Sequence, residues 1–456
     1  MAADPTELHV QGLPVSALAA EFGTPLYLYD ADAMTRQYQG LRELLHPAVE
    51  IFYSLKANPN VAVCALLHSL GARAEVSSLT ELATAGRAGV AADDIVFPGP
   101  GKSAEELVAC LDAGIAAVVC ESLDELALLD RLASERGVTA RVALRVNPSF
   151  SVKGAKLVMS GTSRQFGIDQ ETLLAQSGLA ERFPSVRLVG IHIYMGTRVL
   201  DEGVVAEHTE RILEAAEQIA DTLGFPLELV DIGGGLGVPY FDGERELDPA
   251  VLTSLLNPVI EKFTAGRPGT RLIMELGRYL TAPAGTYVTR VRYLKESRGE
   301  RFAIVDGGTH HHMAAVGIGS YVKRNFPIRL LNRTGAAADE VWNIAGPLCT
   351  PNDTLGKKVL LPPLRTGDLI GVLQSGAYGP SASPVNFLSH GHPAEVLVHQ
   401  GRPLLVRERD RPQDLLARQR TYDFTGASAG APDRAATETS GGTAAGAFGA
   451  TPAPTD

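Results

Sequence analysis

A lysine at the end of an apolar run is the residue best placed in this chain for covalent chemistry. Residues 49–53 are mostly apolar and lead directly to Lys56, which is followed by Ala-Asn-Pro. The pair Asn58 and Pro59 predicts the end of a strand, because the residue before a proline is held extended. The Lys56 ammonium is therefore predicted to lie at the mouth of a sheet, where a lysine can lose its proton and attack an aldehyde. The alternative, for an isolated lysine, is a surface position at a strand end.

Two further motifs follow predicted strands. Gly233, Gly234 and Gly235 come after an apolar run, and consecutive glycines let backbone N–H groups form a nest for an anion such as phosphate. An ordinary flexible turn is the alternative.

Glu275 ends the run of residues 271–275, and Arg278 follows it. A carboxylate at that position could keep a pyridine nitrogen protonated, which makes the ring an electron sink. The alternative is a surface pair of glutamate and arginine.

Two loops in the second half of the chain carry a thiol and a phenol. Cys349 stands in the run Gly-Pro-Leu-Cys-Thr-Pro-Asn-Asp, which predicts a loop bounded by prolines. A loop cysteine near charge can exchange protons, although a single cysteine is more often an inert buried thiol. Tyr378 stands in Gly-Ala-Tyr-Gly, so its hydroxyl is offered on a turn. The alternative is an aromatic ring that only packs.

The elements that must position these residues change character along the chain. Short β-branched runs at residues 51–54, 95–97, 117–120, 140–146, 188–193, 227–232 and 271–275 alternate with Ala/Leu/Glu-rich helical stretches. This alternation predicts parallel βαβ units, and about eight of them in one domain predict a (β/α)8 barrel. We place the barrel at residues 26–284. Residues 1–25 and 285–420 predict a mostly antiparallel β domain, because strand patterns there follow one another without long helices. Residues 425–456 are rich in Gly, Ala, Thr and Pro and predict a disordered tail.

Composition excludes several classes of function. The chain has 456 residues and a net charge of −11, which argues against nucleic acid as a partner, since a phosphate backbone needs clustered cations. No apolar run is long enough to span a membrane, and no signal peptide is visible. The four cysteines form no CxxC pair, so we expect neither a disulfide framework nor a metal site, and a reducing cytoplasm fits.

In their order along the chain, these motifs resemble the fold-type III pyridoxal 5'-phosphate (PLP) decarboxylases, the family of diaminopimelate and ornithine decarboxylases. The resemblance covers roughly residues 15–410. It implies PLP as cofactor, with Lys56 as the Schiff-base lysine and Glu275 as the partner of the pyridine nitrogen. It also implies a homodimer with shared active sites, in which Cys349 reaches across from the other subunit to protonate the product carbanion.

The same resemblance implies further contacts. The phosphate would be held by Gly233, Gly234, Gly235, Arg278, Tyr378 and Thr197, which stands where the family has a serine. Asp306 and Asp353 match further active-site acids of the family, and with Thr350 we assign them to the substrate.

The chain departs from the family at three positions. Tyr194 stands where the family has the histidine that stacks on the pyridine, and an aromatic ring can still stack there. Thr350 follows the cysteine where diaminopimelate decarboxylases have an acidic residue. No arginine aligns in the run His310, His311, His312, where those enzymes have one for a distal carboxylate. The three histidines could instead hold a metal, but on a strand at most two of them would converge.

A buried charge on the substrate needs a paired partner, so these losses favour a substrate with a neutral distal end. The residues around Cys349 and the three histidines also look like those of a subgroup that decarboxylates aminoacyl thioesters on acyl or peptidyl carrier proteins in antibiotic biosynthesis. The resemblance thus predicts a PLP-dependent α-decarboxylase acting on a tethered aminoacyl group. The alternatives are a decarboxylase of free diaminopimelate or another amino acid, and a non-catalytic PLP-binding regulatory protein.

Overall fold

The computed structural model describes residues 6–150, 157–317, 324–422 and 424. The tail predicted at residues 425–456 lies outside the described residues. Eight parallel strands close into a barrel, since the fourth pairs with the fifth and the last pairs with the first. The predicted (β/α)8 barrel is therefore confirmed. Its strands are Val49–Ser54, Arg73–Glu75, Ile95–Phe97, Ala117–Cys120, Ala140–Asn147, Val186–His192, Leu229–Gly234 and Arg271–Leu276.

Helices join the barrel strands and cover the barrel from outside. Three of them begin at a serine that is followed three residues later by glutamate, and Ser78, Ser103 and Ser122 each accept a hydrogen bond from the backbone N–H of that glutamate. This satisfies a backbone donor that the first helical turn leaves unpaired. The helices of this domain are Ala31–Arg42, Val61–Ser69, Leu79–Arg87, Ala104–Ala113, Leu123–Arg136, Gln170–Leu174, Leu179–Arg182, Glu202–Leu223, Pro249–Gly266 and Arg278–Thr281.

The interior of the barrel is a packed apolar layer rather than a pore. Phe52, Val96, Val119, Leu229 and Ile273 come from five different strands and form one buried cluster with other small side chains. Successive side chains of a strand alternate between its two faces. On each strand, the residue two positions after a member of this cluster therefore also points inward, one layer nearer the carboxyl ends of the strands. That layer is where the polar residues of the site lie.

The second domain is mostly antiparallel β structure, as predicted, and its sheet has nine strands among the described residues. Its two parallel pairs join Leu26–Asp30 to Ala394–His399 and Glu300–Val305 to Glu340–Ala345. The other strands are Gly285–Ser297, Ile328–Leu330, Thr354–Leu361, Leu369–Val372 and Arg402–Arg407. Among the described residues, each helix is too short or too polar to cross a bilayer.

The strand Leu26–Asp30 pairs with Gly285–Ser297 and Ala394–His399 in the second sheet, whereas the sequence predicts a barrel that begins at residue 26. The strand is buried on both faces and leads directly into Ala31–Arg42, so it has the pattern of a βα unit without belonging to the barrel. Ahead of it, His9–Val10 and Leu13–Pro14 form a separate hairpin, and the helix Val15–Phe22 follows.

The remaining short elements lie in loops. Leu157–Val158 pairs with Gly196–Thr197, and Ile168–Asp169 extends the barrel sheet beside Ala140–Asn147. The short helices are Met313–Val316 and Pro412–Leu416, and the 3-10 turns are Leu55–Ala57, Ala92–Asp94, Ala282–Ala284, Pro380–Ala382 and Phe387–Ser389.

Candidate active site

The polar residues of the site extend the apolar layer of the barrel toward the carboxyl ends of the strands. Leu229 is followed two positions later by Asp231, and Ile273 by Glu275, so each carboxylate lies on the inner face of its strand. Lys56 lies in the 3-10 turn directly after the first barrel strand. The sequence therefore predicted the location of Lys56 and Glu275 through the strands that end beside them.

Lys56 is held between two carboxylates. Its Nζ lies 2.8 Å from Glu75 Oε2 and 3.4 Å from Glu275 Oε2. Burial disfavours the ammonium, but the charges of Glu275 and Glu75 outweigh burial and hold the pKa of Lys56 well above its usual value. Lys56 is thus a protonated amine that is paired with the two carboxylates.

Sequence reasoning missed Glu75, because the strand Arg73–Glu75 is only three residues long and shows no usable periodicity. Glu75 is fully buried, and its Oε1 accepts a hydrogen bond of 2.9 Å from Ser77 Oγ. The backbone N–H of Ser77 donates to Glu81 Oε2 at 2.7 Å. Burial, and then the Glu75 charge, raise the pKa of Glu81 to about 7. The serine and glutamate three residues apart, Ser78 and Glu81, are the one sequence signal that could have drawn attention to this loop.

The glycine loop after the seventh barrel strand lets the backbone approach its neighbours more closely than a side chain would permit. A Cβ on Gly234 would lie 1.6 Å from the Glu275 carbonyl oxygen, and one on Gly235 would lie 2.0 Å from the Gly196 carbonyl oxygen. Gly233 and Gly235 also have φ angles of +65° and +84°, which favour glycine. Only glycine therefore fits at these positions. Gly235 lines the same cavity as Lys56, whereas Gly233 and Gly234 line a separate pocket.

Most of the predicted cofactor residues surround one cavity. One cavity is lined by Lys56, Tyr194, Thr197, Gly235, Glu275, Arg278 and Tyr378. The Tyr194 ring centre lies 5.7 Å from Lys56 Nζ. The Arg278 guanidinium packs 4.5 Å from the Tyr378 ring centre and donates a 2.9 Å hydrogen bond to the Tyr240 hydroxyl.

The comparisons with known proteins agree with this geometry. The sequence profile of the family described as "Pyridoxal-dependent decarboxylase, pyridoxal binding domain" matches residues 31–282. An L-glutamyl-[BtrI acyl-carrier protein] decarboxylase of Niallia circulans is 41% identical over 89% of this chain and 96% of its own length. The chain belongs to the pyridoxal-dependent decarboxylase family.

Other relatives of this decarboxylase are named diaminopimelate decarboxylases. The diaminopimelate decarboxylase of Aquifex aeolicus is 32% identical over 89% of this chain and 93% of its own length. The crystal structure of the M. jannaschii diaminopimelate decarboxylase in complex with L-lysine superposes with a TM-score of 0.81 at 29% identity, covering 92% of this chain and 97% of the other. PLP is accordingly the cofactor of this decarboxylase.

The residues present fit PLP. Gly235 of the glycine loop lines the cavity. Arg278 Nε is buried with no hydrogen-bond partner among the described residues, so a phosphate oxygen would satisfy it. A primary amine, Lys56, and a buried carboxylate, Glu275, stand in the same cavity. These are the donors and acceptors that an aldehyde, a phosphate and a pyridine nitrogen need.

The predicted substrate residues lie apart from this cavity within one chain. Cys349 is exposed, and its neighbours Leu348 and Thr350 line a separate open groove. Asp353 is buried and accepts hydrogen bonds from the backbone N–H groups of Thr309, at 2.6 Å, and Leu348, at 2.7 Å. Asp353 thus holds the loop of Cys349 in place.

Asp306 is also engaged within the protein. Its Oδ2 accepts a hydrogen bond from Thr24 Oγ1 at 2.6 Å, and its Oδ1 accepts one from the Arg290 backbone N–H at 2.8 Å. The substrate contacts of Asp306, Thr350 and Asp353 stay predictions.

The premise that the three histidines lie on a strand is wrong. They lie in a turn before the helix Met313–Val316, because the strand ends at Val305 and two glycines follow. His311 contacts the Tyr287 hydroxyl at 3.1 Å and the Gly391 carbonyl at 2.9 Å, and His312 contacts Ser375 Oγ at 2.8 Å. Two of the three rings thus tie the turn to other segments of the second domain, and the absence of a metal there stays a prediction.

Proposed function

We propose that this decarboxylase removes the α-carboxylate of an aminoacyl group carried as a thioester on a carrier protein. An α-decarboxylase needs the α-amine and the α-carboxylate free, so the thioester must be formed by a side-chain carboxyl. That linkage replaces the negative charge at the distal end of the substrate with a neutral carbonyl. The substrate chemistry is therefore a free amino-acid head on an uncharged arm.

The observation that carries this proposal is the uncharged lining of the groove beside Cys349. Its walls are formed by Thr309, Leu348, Thr350, Asn352 and the five residues 383–387, and none of these bears a charge. A free diaminopimelate or lysine would bring an unpaired distal charge into this groove, which is costly. The 41% identity to a decarboxylase whose name specifies a glutamyl group on a carrier protein supports the same conclusion.

The site residues have separate roles in holding the cofactor and in moving protons. When bound, PLP supplies an electron sink for the electron pair that CO₂ leaves behind. Lys56 would hold the cofactor covalently, Glu275 would face its ring nitrogen, and Arg278 with the glycine loop would hold its phosphate. Cys349 or Lys56 then delivers a proton to the α-carbon of the product.

We further propose a homodimer in which each active site is completed by the partner. The groove beside Cys349 and the cavity around Lys56 have no lining residue in common. We therefore infer that the Cys349 thiol is presented to the α-carbon by another copy of the chain. Thiols suit a reducing cytoplasm, where we place the enzyme, and the four cysteines are unpaired.

The test measures CO₂ release by the purified holoenzyme on matched substrates. One set is amino acids thioester-linked through the side-chain carboxyl to a carrier protein, and the other is the same amino acids free, together with diaminopimelate. We expect turnover of at least one tethered substrate and little turnover of the free ones, with Lys56→Ala as the inactive control. Efficient decarboxylation of a free amino acid would instead establish the rival function that the diaminopimelate decarboxylase relatives favour.

A further inference from the structure

A group of aromatic rings leads from the cofactor cavity toward the protein surface. Arg278, which lines the cavity, donates a hydrogen bond of 2.9 Å to the Tyr240 hydroxyl. The Tyr240 ring stacks on the Phe326 ring, with 4.4 Å between their centres. Phe241 packs edge-on against the same Phe326 ring, with 6.0 Å between the centres. We call Tyr240, Phe241 and Phe326 the aromatic cluster.

Two further guanidinium groups lie against the aromatic cluster. The Arg324 guanidinium carbon is 4.1 Å from the centre of the Phe241 ring, and that of Arg198 is 5.0 Å from the same ring. Arg198 is paired with a carboxylate, because both oxygens of Glu244 accept from its Nη2, at 3.0 and 3.1 Å. Arg324 is exposed and has no ion pair among the described residues. Its positive charge is therefore open to a ligand.

The ring beneath Arg324 is held in place by Glu244. Besides pairing with Arg198, Glu244 Oε2 accepts hydrogen bonds from the backbone N–H groups of Tyr240, at 3.0 Å, and Phe241, at 3.3 Å. One carboxylate thus fixes both the turn that carries the two rings and the arginine beside them. Phe241 is consequently a rigid surface for the Arg324 guanidinium.

The segment that carries Arg324 is anchored as well. Its neighbour Asn325 donates a side-chain hydrogen bond to the Lys357 carbonyl at 2.7 Å and accepts one from the Lys357 backbone N–H at 2.9 Å. The next residue, Phe326, is part of the aromatic cluster. A cation that is held in position before a ligand arrives loses little conformational freedom on binding. A guanidinium with a free face suits a phosphate group, which it can contact through two N–H donors.

Two exposed lysines continue the positive charge beside Arg324. Lys357 lies next to Asn325 through the hydrogen bonds above, and Lys358 follows it on the strand Thr354–Leu361. Neither lysine has an ion pair among the residues that the structure describes. We call Arg324, Lys357 and Lys358 the basic patch. It stands out in a protein of net charge −11, and it favours the approach of an anionic partner.

We propose that the carrier protein docks on the basic patch and that Arg324 binds the phosphodiester of the carrier's arm. The inference rests on the proposed function, since only a tethered substrate brings such an arm. The thiol of an acyl carrier protein ends an uncharged pantetheine chain, and a phosphodiester joins that chain to the protein. From the cofactor outward the substrate is thus an amino-acid head, a neutral arm, a phosphodiester and a carrier. The protein presents Arg278, then the aromatic cluster, then Arg324 and the two lysines.

The first test measures the binding of 4'-phosphopantetheine and of pantetheine, which differ only in the phosphate. The PLP-loaded enzyme is used, so that PLP occupies its own phosphate site, and ligand-observed NMR suits weak binding. The wild type should prefer phosphopantetheine by about five- to tenfold, the upper range for one exposed ion pair. Arg324→Ala should lose this preference while it binds pantetheine normally, and Arg324→Lys should keep part of it. The preference should decline as salt is raised.

The second test measures decarboxylation of one amino acid carried as a thioester on pantetheine, on phosphopantetheine and on the carrier protein. Arg324→Ala should raise KM for the latter two by about five- to tenfold at unchanged kcat, because this contact is the same in ground state and transition state. The double variant Lys357→Glu, Lys358→Glu should raise KM only for the carrier-linked substrate. Arg402→Ala is the matched control, since Arg402 is exposed on the strand at the opposite edge of the sheet.

Equal binding of the two ligands by the wild type would overturn the inference. So would an Arg324→Ala defect that extends to pantetheine, an equal defect in Arg402→Ala, or normal carrier-linked turnover in the double lysine variant. Turnover of the pantetheine thioester with no effect of the phosphate would defeat the inference alone. Decarboxylation of a free amino acid, with none of the three thioesters turned over, would defeat the proposed function and the inference with it.

Discussion

Replacing Glu75 by glutamine should make Lys56 easier to deprotonate and so speed the uptake of PLP. The Coulomb attraction across the 2.8 Å contact is ~6 kcal/mol at an effective dielectric constant of about 20. Solvent screening reduces this value, because 37% of the Lys56 side chain is exposed. The net loss is then closer to the value of a hydrogen bond to a charged group, about 1.5 to 3 kcal/mol. This corresponds to a roughly 10- to 100-fold larger fraction of neutral amine at neutral pH.

The assay is the rate of PLP uptake by the cofactor-free protein, followed by visible absorbance between pH 6 and 9. Because the charges of Glu275 and Glu75 hold the pKa of Lys56 high, the wild-type rate should rise with pH throughout this range. The curve of Glu75→Gln should be displaced to lower pH, with the faster rate at every pH below its plateau. Ser77→Ala is the matched control, since it removes the hydrogen bond to Glu75 Oε1 but leaves the charge. An unchanged or slower rate in a Glu75→Gln protein that melts normally would refute the reasoning.

Three more outcomes are expected. Lys56→Ala should lose turnover, and borohydride should fix PLP to the wild-type protein at Lys56, as read by peptide mass spectrometry; wild-type turnover without this lysine would contradict its role. Cys349→Ala should keep PLP but lose turnover by about 10²-fold, and mixing it with Lys56→Ala should restore partial activity through mixed dimers; no recovery after proven subunit exchange would count against a shared site. The pKa of Glu81 in the folded protein is raised to about 7, so on raising the pH the unfolded chain loses the Glu81 carboxyl proton before the folded protein does. The free energy of unfolding should therefore fall by at most ~3 kcal/mol between pH 4.5 and 7. Urea unfolding should accordingly find Glu81→Gln more stable than the wild type at pH 8 but not at pH 4.5.

The architecture could be predicted because it rests on local patterns. Strand runs such as Ile95–Phe97 and Ala117–Cys120 are apolar throughout and alternate with helices, which is typical of a parallel barrel with both faces covered. Lys56 and Glu275 could be assigned to the site because each stands at the carboxyl end of a predicted strand. The resemblance to a family then supplied the cofactor, which no single motif could have done.

What could not be predicted depends on contacts between distant segments. Glu75 lies beside Lys56 through the pairing of Val49–Ser54 with Arg73–Glu75, and a three-residue strand leaves no periodic signal. His192 stands two positions before Tyr194 with no motif of its own to mark it, although its Nε2 lies 3.1 Å from Glu275 Oε1. The strand Leu26–Asp30 has the local pattern of a barrel strand, and only its pairing partners assign it to the other sheet.

The position of Leu26–Asp30 has a consequence for synthesis on the ribosome. This strand leaves the exit tunnel before any of the barrel, yet it lies between Gly285–Ser297 and Ala394–His399 in the finished sheet. At about 5 to 20 residues per second, its last neighbour follows roughly 20 to 70 s later. During that time the barrel can close, but the apolar strand Leu26–Asp30 has no neighbour on either edge. Its unpaired edges expose the nascent chain to misassembly. The two domains are therefore not separable by one cut, and a shortened gene for the barrel alone must start after this strand.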